Sequence, residues 1–306
     1  MNNFRYCCII FGILIIGNAS ARLVMQKQAY YSLKYSDTAK PLVIKYDTVN
    51  FLNKKIALFP KEYAFCEDGN WYLYNPFTRE IFQYFRNNYV KTLKKYPADV
   101  EIEFFMNQNK LYAINTKGSL VDEYFNGSFL NSKKLLEGGK PLDYVLTIRQ
   151  ADGEIYLSTV KSSKENKYYA FDHEFDFIKE IDQQDYLKKV YSANQIEQQR
   201  YFVVMGKDTV YIKTPDGTEL TDGIPIKCGR YLFYRINRFV NKTHCFAVID
   251  TLKKAVLPNI FKPEGPSFFL FTPDGRVYLV ENKIANIEKH TEGDRLTITE
   301  YLLKEE

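Results

Sequence analysis

The densest group of side chains that could do chemistry is one short segment, Asp172-His173-Glu174-Phe175-Asp176. Its carboxylates and imidazole are donors that divalent metals take in proteins. The sequence has only 3 histidines, and we see no partner for His244 or His290. Catalytic triads and zinc sites both depend on histidine. We therefore interpret the segment around His173 as a solvated acidic turn between two strands.

A second set of candidate ligands is an Asp-Gly pair that recurs along the chain. The four aspartates are Asp68, Asp152, Asp216 and Asp274. If the turns that carry them are equivalent, they lie on one face of the molecule, where carboxylates could hold Ca²⁺. Asp before Gly is also the ordinary composition of a hairpin turn. We favour the turn and predict no cofactor, with Ca²⁺ as the alternative.

Sequence signatures of hydrolases are missing. The chain contains no Gly-x-Ser-x-Gly elbow, no His-Glu-x-x-His helix motif and no Asp-Thr-Gly. Those motifs place a nucleophile, a metal or a carboxylate pair, so their absence removes the usual hydrolytic sites. We assign no catalytic, cofactor-binding or metal-binding residue, and we favour a protein that is not an enzyme.

The elements that would position any site are strands, because one sequence pattern typical of strands recurs along the chain. An apolar strand is followed by a tight polar turn, a strand centred on an aromatic residue, another turn and a third strand. The central aromatics are Tyr72, Tyr112, Tyr156, Tyr211, Phe246 and Tyr278. In three copies the strand ends in Asn75, Asn115 or Asp250, whose side chains can bond the backbone two positions on and start a turn.

Repeats of about 40 residues that are rich in strands and lack helices are typical of β-propeller blades. Blades pack side by side, which explains apolar runs such as SFFLF, residues 267–271, that have no polar face. The sequence therefore predicts an all-β propeller of six blades, with seven possible, each a four-stranded antiparallel sheet. We expect residues 29–35 and 42–46 to close the ring against the C-terminal strand, because an open ring leaves two bare sheet edges.

The first 21 residues have the features of a signal peptide. Arg5 precedes an uncharged apolar run, residues 7–16, and Ala19-Ser20-Ala21 gives the small-x-small pattern of a cleavage site. The run is shorter than the ~20 residues that span a bilayer, and we find no second one. We predict a signal peptide at 1–21, one propeller domain at 22–306, no membrane span and a secreted or periplasmic location.

Charge and cysteine content exclude further classes. The net charge is +5, and the charges are interspersed, whereas nucleic-acid binding needs basic residues gathered on one face. Cys66, Cys228 and Cys245 lie beyond the signal peptide. They could form one disulfide and leave one free thiol, or all three could be buried free thiols, and both alternatives stay open. A hairpin turn at 241–242 would place Cys245 opposite Arg238 and Cys228 opposite Ala255.

Two polar stretches interrupt the repeats. Residues 182–199 are rich in Gln and predict a short helix or long loop outside the blades, and residues 161–167 form a second excursion. Long loops on rigid scaffolds often carry function, although tolerated surface insertions are the alternative. Asn126 and Asn241 each begin an N-glycosylation acceptor pattern and fall in predicted loops.

Two sequence segments resemble those of a known family. PDGRVYLV, residues 273–280, and ADGEIYLS, residues 151–158, resemble the strands of secreted propellers of the NHL and TolB-like kind. Similar repeats occur in exported six-bladed propellers of the Bacteroidetes. The resemblance covers roughly residues 62–281 and implies a fold and an exported protein.

These features lead us to expect an exported, non-catalytic propeller that binds a protein or glycan partner through loops on one face. The competing hypothesis is a hydrolase or lyase with a Ca²⁺ ion in its central channel. A structural component of a larger surface assembly is a third.

Overall fold

The computed structural model describes residues 23–36, 42, 45–49, 54–58, 60, 62–160, 166–197, 202–212, 225–240, 243–257, 267–272, 274–286 and 288–305. The predicted signal peptide, most of the stretch at 161–167, Asp216 and Asn241 lie outside the described residues. Within these ranges no helix combines the length and the apolar composition that a membrane crossing requires.

The chain folds as a six-bladed β-propeller. Blades one to three are four-stranded antiparallel sheets whose strands pair in chain order. Blade one contains β4 (Glu62–Phe65), β5 (Asn70–Asn75), β6 (Glu80–Phe85) and β7 (Asn88–Lys95). Blade two contains β8 (Ile102–Asn107), β9 (Lys110–Asn115), β10 (Leu120–Phe125) and β11 (Ser128–Lys134). Blade three contains β14 (Tyr144–Ala151), β15 (Glu154–Val160), β16 (Asn166–Phe171) and β17 (Phe177–Ile181). The hairpin of β12 (Leu136–Glu137) and β13 (Lys140–Pro141) links blades two and three.

The second half of the ring repeats this plan. The described part of blade four contains β18 (Gln195–Glu197), β19 (Phe202–Met205) and β20 (Asp208–Tyr211). Blade five contains β21 (Ile226–Cys228), β22 (Tyr231–Val240), β23 (Thr243–Asp250) and β24 (Ala255–Val256). Blade six contains β25 (Ser267–Phe271), β26 (Arg276–Lys283), β27 (Arg295–Glu305) and, from the other end of the chain, β1 (Leu23–Lys34).

Ring closure follows the prediction for one of its two segments. The strand β1 pairs antiparallel with β27, from Leu23 opposite Glu305 to Lys34 opposite Arg295, with one bulge after Lys27. The prediction for residues 42–46 was wrong, because β2 (Lys45–Val49) pairs with β3 (Lys54–Leu58) in a separate hairpin. With β1 in place, blade six already has its four strands, and no position is left for a further one.

The predicted central aromatics fall on the second strand in four blades, at Tyr72, Tyr112, Tyr156 and Tyr278. The prediction was one strand out in blades four and five, where Tyr211 and Phe246 lie on the third strands β20 and β23. The reason is that the first strands there, β18 and β21, have only 3 residues each, too few to show an apolar pattern.

The core is a ring of clusters between neighbouring blades. Along β5, Trp71 and Leu73 pack into the cluster shared with blade six, whereas Tyr72 and Tyr74 pack into the cluster shared with blade two. Successive side chains of a strand point to opposite faces, so both faces of the sheet are buried. This double burial explains why the strands lack a polar face.

The predicted insertion forms a short helix that packs against the blades. Helix α1 (Gln183–Tyr191) begins after Asp182, whose side chain accepts a hydrogen bond from the Asp185 backbone N–H. Its residues Tyr186, Val190 and Tyr191 are buried in the cluster that joins blades three, four and five. The short helix outside the blade sheets is confirmed, whereas residues 195–197 of the same stretch form the first strand of blade four.

The turns predicted at the strand ends are confirmed. Asn75 accepts hydrogen bonds from the backbone N–H groups of Phe77 and Thr78, and Asp250 accepts them from Leu252 and Lys253. In each copy one side chain satisfies the backbone donors that the turn leaves unpaired.

Replacing one of these side chains tests the contribution of the turns to stability. Asn115 accepts hydrogen bonds from Lys117 and Gly118 at 3.2 and 3.1 Å. We expect Asn115→Ala to lower the free energy of unfolding by about 1 kcal/mol, because two backbone donors lose their partner. Asn115→Asp keeps the acceptor and should change stability by less than about 0.5 kcal/mol. Urea unfolding of both variants measures the difference, and equal losses would contradict the assignment.

Candidate functional site

The first strands of the blades surround a central channel. A cavity of about 270 Å³ lies between β4, β8, β14, β21 and β25, so five of the six blades contribute to its wall. The apolar part of the wall includes Phe104, Met106, Leu270 and Phe271. Concave cavities with a few convergent polar groups are the usual place for a ligand.

Four charged side chains interrupt this apolar wall. Glu62 and Glu103 come from the adjacent blades one and two, and Arg149 and Lys227 come from blades three and five. All four are half-buried. Among the described residues, Glu103, Arg149 and Lys227 form no ion pair. Glu103 thus lies in one cavity with Arg149 and Lys227 and forms an ion pair with neither.

The acidity of Glu103 is strongly perturbed. Burial raises the pKa of its carboxyl to about 7, with Arg149 lowering it and Glu62 raising it further. Burial raises a carboxyl pKa because it penalises the charged form. Glu103 can therefore hold or release a proton near neutral pH.

Arg149 is the best-enclosed cation of the channel. Its Nη1 donates a hydrogen bond to the Ile148 carbonyl at 2.7 Å, and its Nε is buried without a partner among the described residues. Burial opposes the charge, but Tyr191, Tyr186 and Glu103 together raise the pKa of the guanidinium, which stays protonated. Both tyrosines come from α1, so the insertion helix supports the channel wall.

Lys227 supplies the second cation. Burial lowers the pKa of its ammonium group, and Asp152 acts in the opposite direction. Lys227 lies on β21, one of the short strands whose place in the repeat the sequence pattern missed.

The channel opens on the face that carries the turns between first and second strands, which we call the turn face. Its mouth is a recess of about 220 Å³. The lining residues are Phe65, Glu67, Met106, Asn107, Gln108, Asn109, Gln150, Thr272 and Asp274. Gln150 Nε2 donates a hydrogen bond to Asn107 Oδ1 at 2.9 Å, which ties blades two and three together at the rim.

The Asp-Gly turns lie on this face, as predicted. Asp68, Asp152 and Asp274 all belong to turns between the first two strands of a blade. Asp68 accepts hydrogen bonds from the Asn70 backbone N–H and side chain, and Asp152 pairs with Lys189 at 3.2 Å. Only Asp274 lines the mouth. Where the structure describes the chain, no three His, Cys, Asp or Glu side chains are close enough to hold a metal ion.

His173 and His290 do not line the channel. His173 is exposed in the turn after β16, where Asp172 accepts backbone hydrogen bonds from Glu174 and Asp176. This geometry fits the predicted acidic turn. His290 does have a partner, contrary to the sequence interpretation, because its Nδ1 lies 3.1 Å from the buried Asp294 carboxylate. Asn126 lies in the turn between β10 and β11 and is exposed, as predicted for the acceptor position.

The three cysteines beyond the predicted signal peptide are buried free thiols. Burial raises the pKa of Cys66 and of Cys228 to about 12, so neither is a ready nucleophile. Val240 pairs with Thr243, as expected for a hairpin turn at 241–242, but the position expected for Cys228 was wrong, because Cys228 faces Tyr231 and Ala255 faces Asp250. A bulge in the pairing of β22 with β23 between Arg235 and Phe239 shifts the hairpin from regular pairing.

The sequence analysis missed the four charged residues of the channel. They lie far apart along the chain, each on the first strand of a different blade. One signal was present: Glu103 and Arg149 are charged residues in the otherwise mostly apolar runs IEFFM and YVLTIR. Aligning the copies on their turns would have brought these positions to one ring.

The chain is similar to several solved structures. A candidate exported protein of Bacteroides fragilis is 12% identical, with 90% of this chain and 94% of that chain covered and a TM-score of 0.47. A member of the DUF4221 family from Bacteroides vulgatus is 11% identical over 94% and 99% of the two chains, with a TM-score of 0.46. A gluconolactonase from Xanthomonas campestris is 12% identical over 92% and 100%, with a TM-score of 0.45. No protein-family model matches the sequence, and neither does any curated protein.

Proposed function

We propose that the chain is an exported, non-catalytic propeller that binds a glycan at the channel mouth on its turn face. The observation that carries the proposal is the composition of the mouth, where four amide side chains and two carboxylates surround an apolar floor of Phe65 and Met106. Amides both donate and accept hydrogen bonds, and carboxylates accept them, which suits the hydroxyl groups of a sugar. The apolar floor suits the C–H face of a sugar ring. Export rests on the N-terminal sequence.

Two features favour a glycan over a protein partner at this site. The mouth is a recess of about 220 Å³, the size of one or two sugar units rather than of a protein surface. Its polar groups sit on strand ends and tight turns of a closed ring, so they are held in place before the ligand arrives. Such preorganisation lowers the entropic cost of binding.

A glycan array followed by calorimetry tests the proposal, with Asn109→Gly as the informative variant. Asn109 has a left-handed backbone, φ 61°, which glycine adopts without strain, so the change removes only the side chain from the mouth. We expect about a tenfold loss of glycan affinity. Asn126→Gly is the matched control, because Asn126 has φ 48° in a turn away from the mouth, and its affinity should stay unchanged. Equal affinities for both variants, or no bound glycan, would contradict the proposal.

The acidity of Glu103 supports a second candidate function, that of a hydrolase or lyase that acts in the channel. A carboxyl with a pKa of about 7 suits general acid or base catalysis near neutral pH. New reducing ends or unsaturated products after incubation with a bound glycan, abolished by Glu103→Gln, would establish this activity. The Ca²⁺-dependent form of the hypothesis predicts that a chelator also abolishes it.

A further inference from the structure

The channel beneath the mouth contains charges that the protein does not neutralise by contact. Arg149 and Lys227 reach it from blades three and five, with blade four between them along the ring, and neither forms an ion pair among the residues described. Half-buried charge without a partner is costly, and a buried Arg149 Nε without a hydrogen-bond partner adds to the cost. A ligand with the complementary charge would recover it.

The shape and chemistry of the cations indicate the ligand group. A guanidinium offers several N–H donors in a planar fork that matches the two oxygens of a carboxylate. Arg149 Nη1 donates a hydrogen bond to the Ile148 carbonyl, the neighbouring Tyr191 hydroxyl also supports the charge, and the guanidinium lines the channel. The ammonium of Lys227 adds a second positive charge in the same cavity.

The channel and the mouth are continuous. Phe65, Met106, Gln150 and Thr272 line both, so one ligand can contact the amides of the mouth and the cations below them. A carboxylate attached to a sugar ring satisfies both sets of groups.

We propose that the channel receives the carboxylate of an acidic sugar of the uronate class, bound by Arg149 and Lys227. This inference rests on the glycan binding proposed above and names the class of glycan. Glu103, when protonated, donates a hydrogen bond to the same ligand group instead of repelling it.

The acidity of Glu103 makes this binding depend on pH. The charged groups around it are Glu62 from β4, Arg149 from β14 and Lys227 from β21, with Glu67 and Asp274 at the mouth. Its pKa of about 7 means that the carboxyl is mostly neutral at pH 6 and mostly charged at pH 8. Affinity for an acidic sugar should therefore fall between these values.

Calorimetry with three matched trisaccharides tests the inference: tri-galacturonate, its methyl ester and neutral galactotriose. At pH 6 we expect the acid to bind at least about tenfold more tightly than the ester, the range for hydrogen bonds to charged groups. Arg149→Gln and Lys227→Gln should each reduce binding of the acid and leave binding of the ester unchanged, which shows that the variants are folded. Lys95→Gln, at an exposed lysine on the outer strand β7, is the control for net charge. Glu103→Gln should remove the loss of affinity between pH 6 and 8.

The outcomes separate this inference from the proposed function. Equal binding of the acid and the ester, both lost in Asn109→Gly, overturns the acidic-sugar inference and leaves glycan binding at the mouth intact. No binding of any of the three sugars also overturns the inference, while the glycan array decides the proposed function independently. A loss of acid affinity in Lys95→Gln equal to that in Arg149→Gln would show that net charge, and not the channel, is responsible.

Discussion

Removal of residues 23–34 is expected to open the ring and to destabilise the protein more than any single substitution. The strand β1 is the outer strand of blade six, and it pairs with β27 along its whole length. Its Tyr31 and Leu33 are buried in the cluster between blades six and one. Its Ser32 backbone N–H donates to Asn87 Oδ1 of blade one at 2.9 Å. Without β1, the backbone edge of β27 and an apolar cluster face solvent.

The only tryptophan provides the measurement. Trp71 is 1% exposed and lies in the same cluster. Its ring stacks on that of Tyr84, with 4.2 Å between the ring centroids. We expect its emission to shift to the red in the shortened chain, and its urea transition to move to lower concentration and lose cooperativity.

A point variant keeps the test informative if the shortened chain does not fold. Leu33→Ala should lower the free energy of unfolding by about 3 kcal/mol, because a buried leucine leaves a cavity. Tyr30→Ala on the same strand changes an exposed side chain and should cost less than about 0.5 kcal/mol. A Leu33→Ala protein as stable as the Tyr30→Ala control would contradict the role of β1 in ring closure.

The fold could be predicted because its information is local. Each second strand and its turns carry their own apolar pattern, and Asn75 or Asp250 marks a strand end through bonds to the next residues of the chain. Closure by β1 followed from a general rule, since a ring of sheets must not leave free edges. Where the local signal is weak, as in the three-residue strands β18 and β21, the predicted register moved by one strand.

The channel could not be predicted because its information is not local. Glu62 and Lys227 line one cavity only once the ring has closed, and neither has a neighbour in sequence that indicates a site. The helix α1 was predicted but its burial was not, since polar residues dominate its sequence and only Tyr186, Val190 and Tyr191 are buried. A charged residue in a mostly apolar first strand, such as Glu103, can be seen in the local sequence. It also marks a position that lines the channel once the ring has closed.

Glu103→Gln is expected to stabilise the protein at pH 8 and to change little at pH 4. Burial raises the pKa of Glu103 from 4.5 to about 7, so between these pH values the folded protein binds a proton that the unfolded chain has released. The stability of the natural protein therefore falls as the pH rises through this window, by at most about 3 kcal/mol for a shift of this size. The glutamine side chain resembles the neutral carboxyl and does not ionise, so the variant lacks this loss.

Urea unfolding of both proteins at intervals from pH 4 to 8 measures the difference in free energy, in which the other titrating groups cancel. The difference should grow in favour of Glu103→Gln between pH 5 and 7 and then level off. Glu101→Gln is the control, because the Lys117 ammonium and the Tyr144 hydroxyl lower the pKa of the exposed Glu101, and this variant should not gain stability as the pH rises. A constant difference for Glu103→Gln would mean that its carboxyl is already ionised in the folded protein, and Glu103 would then repel the sugar carboxylate that we assign to the channel.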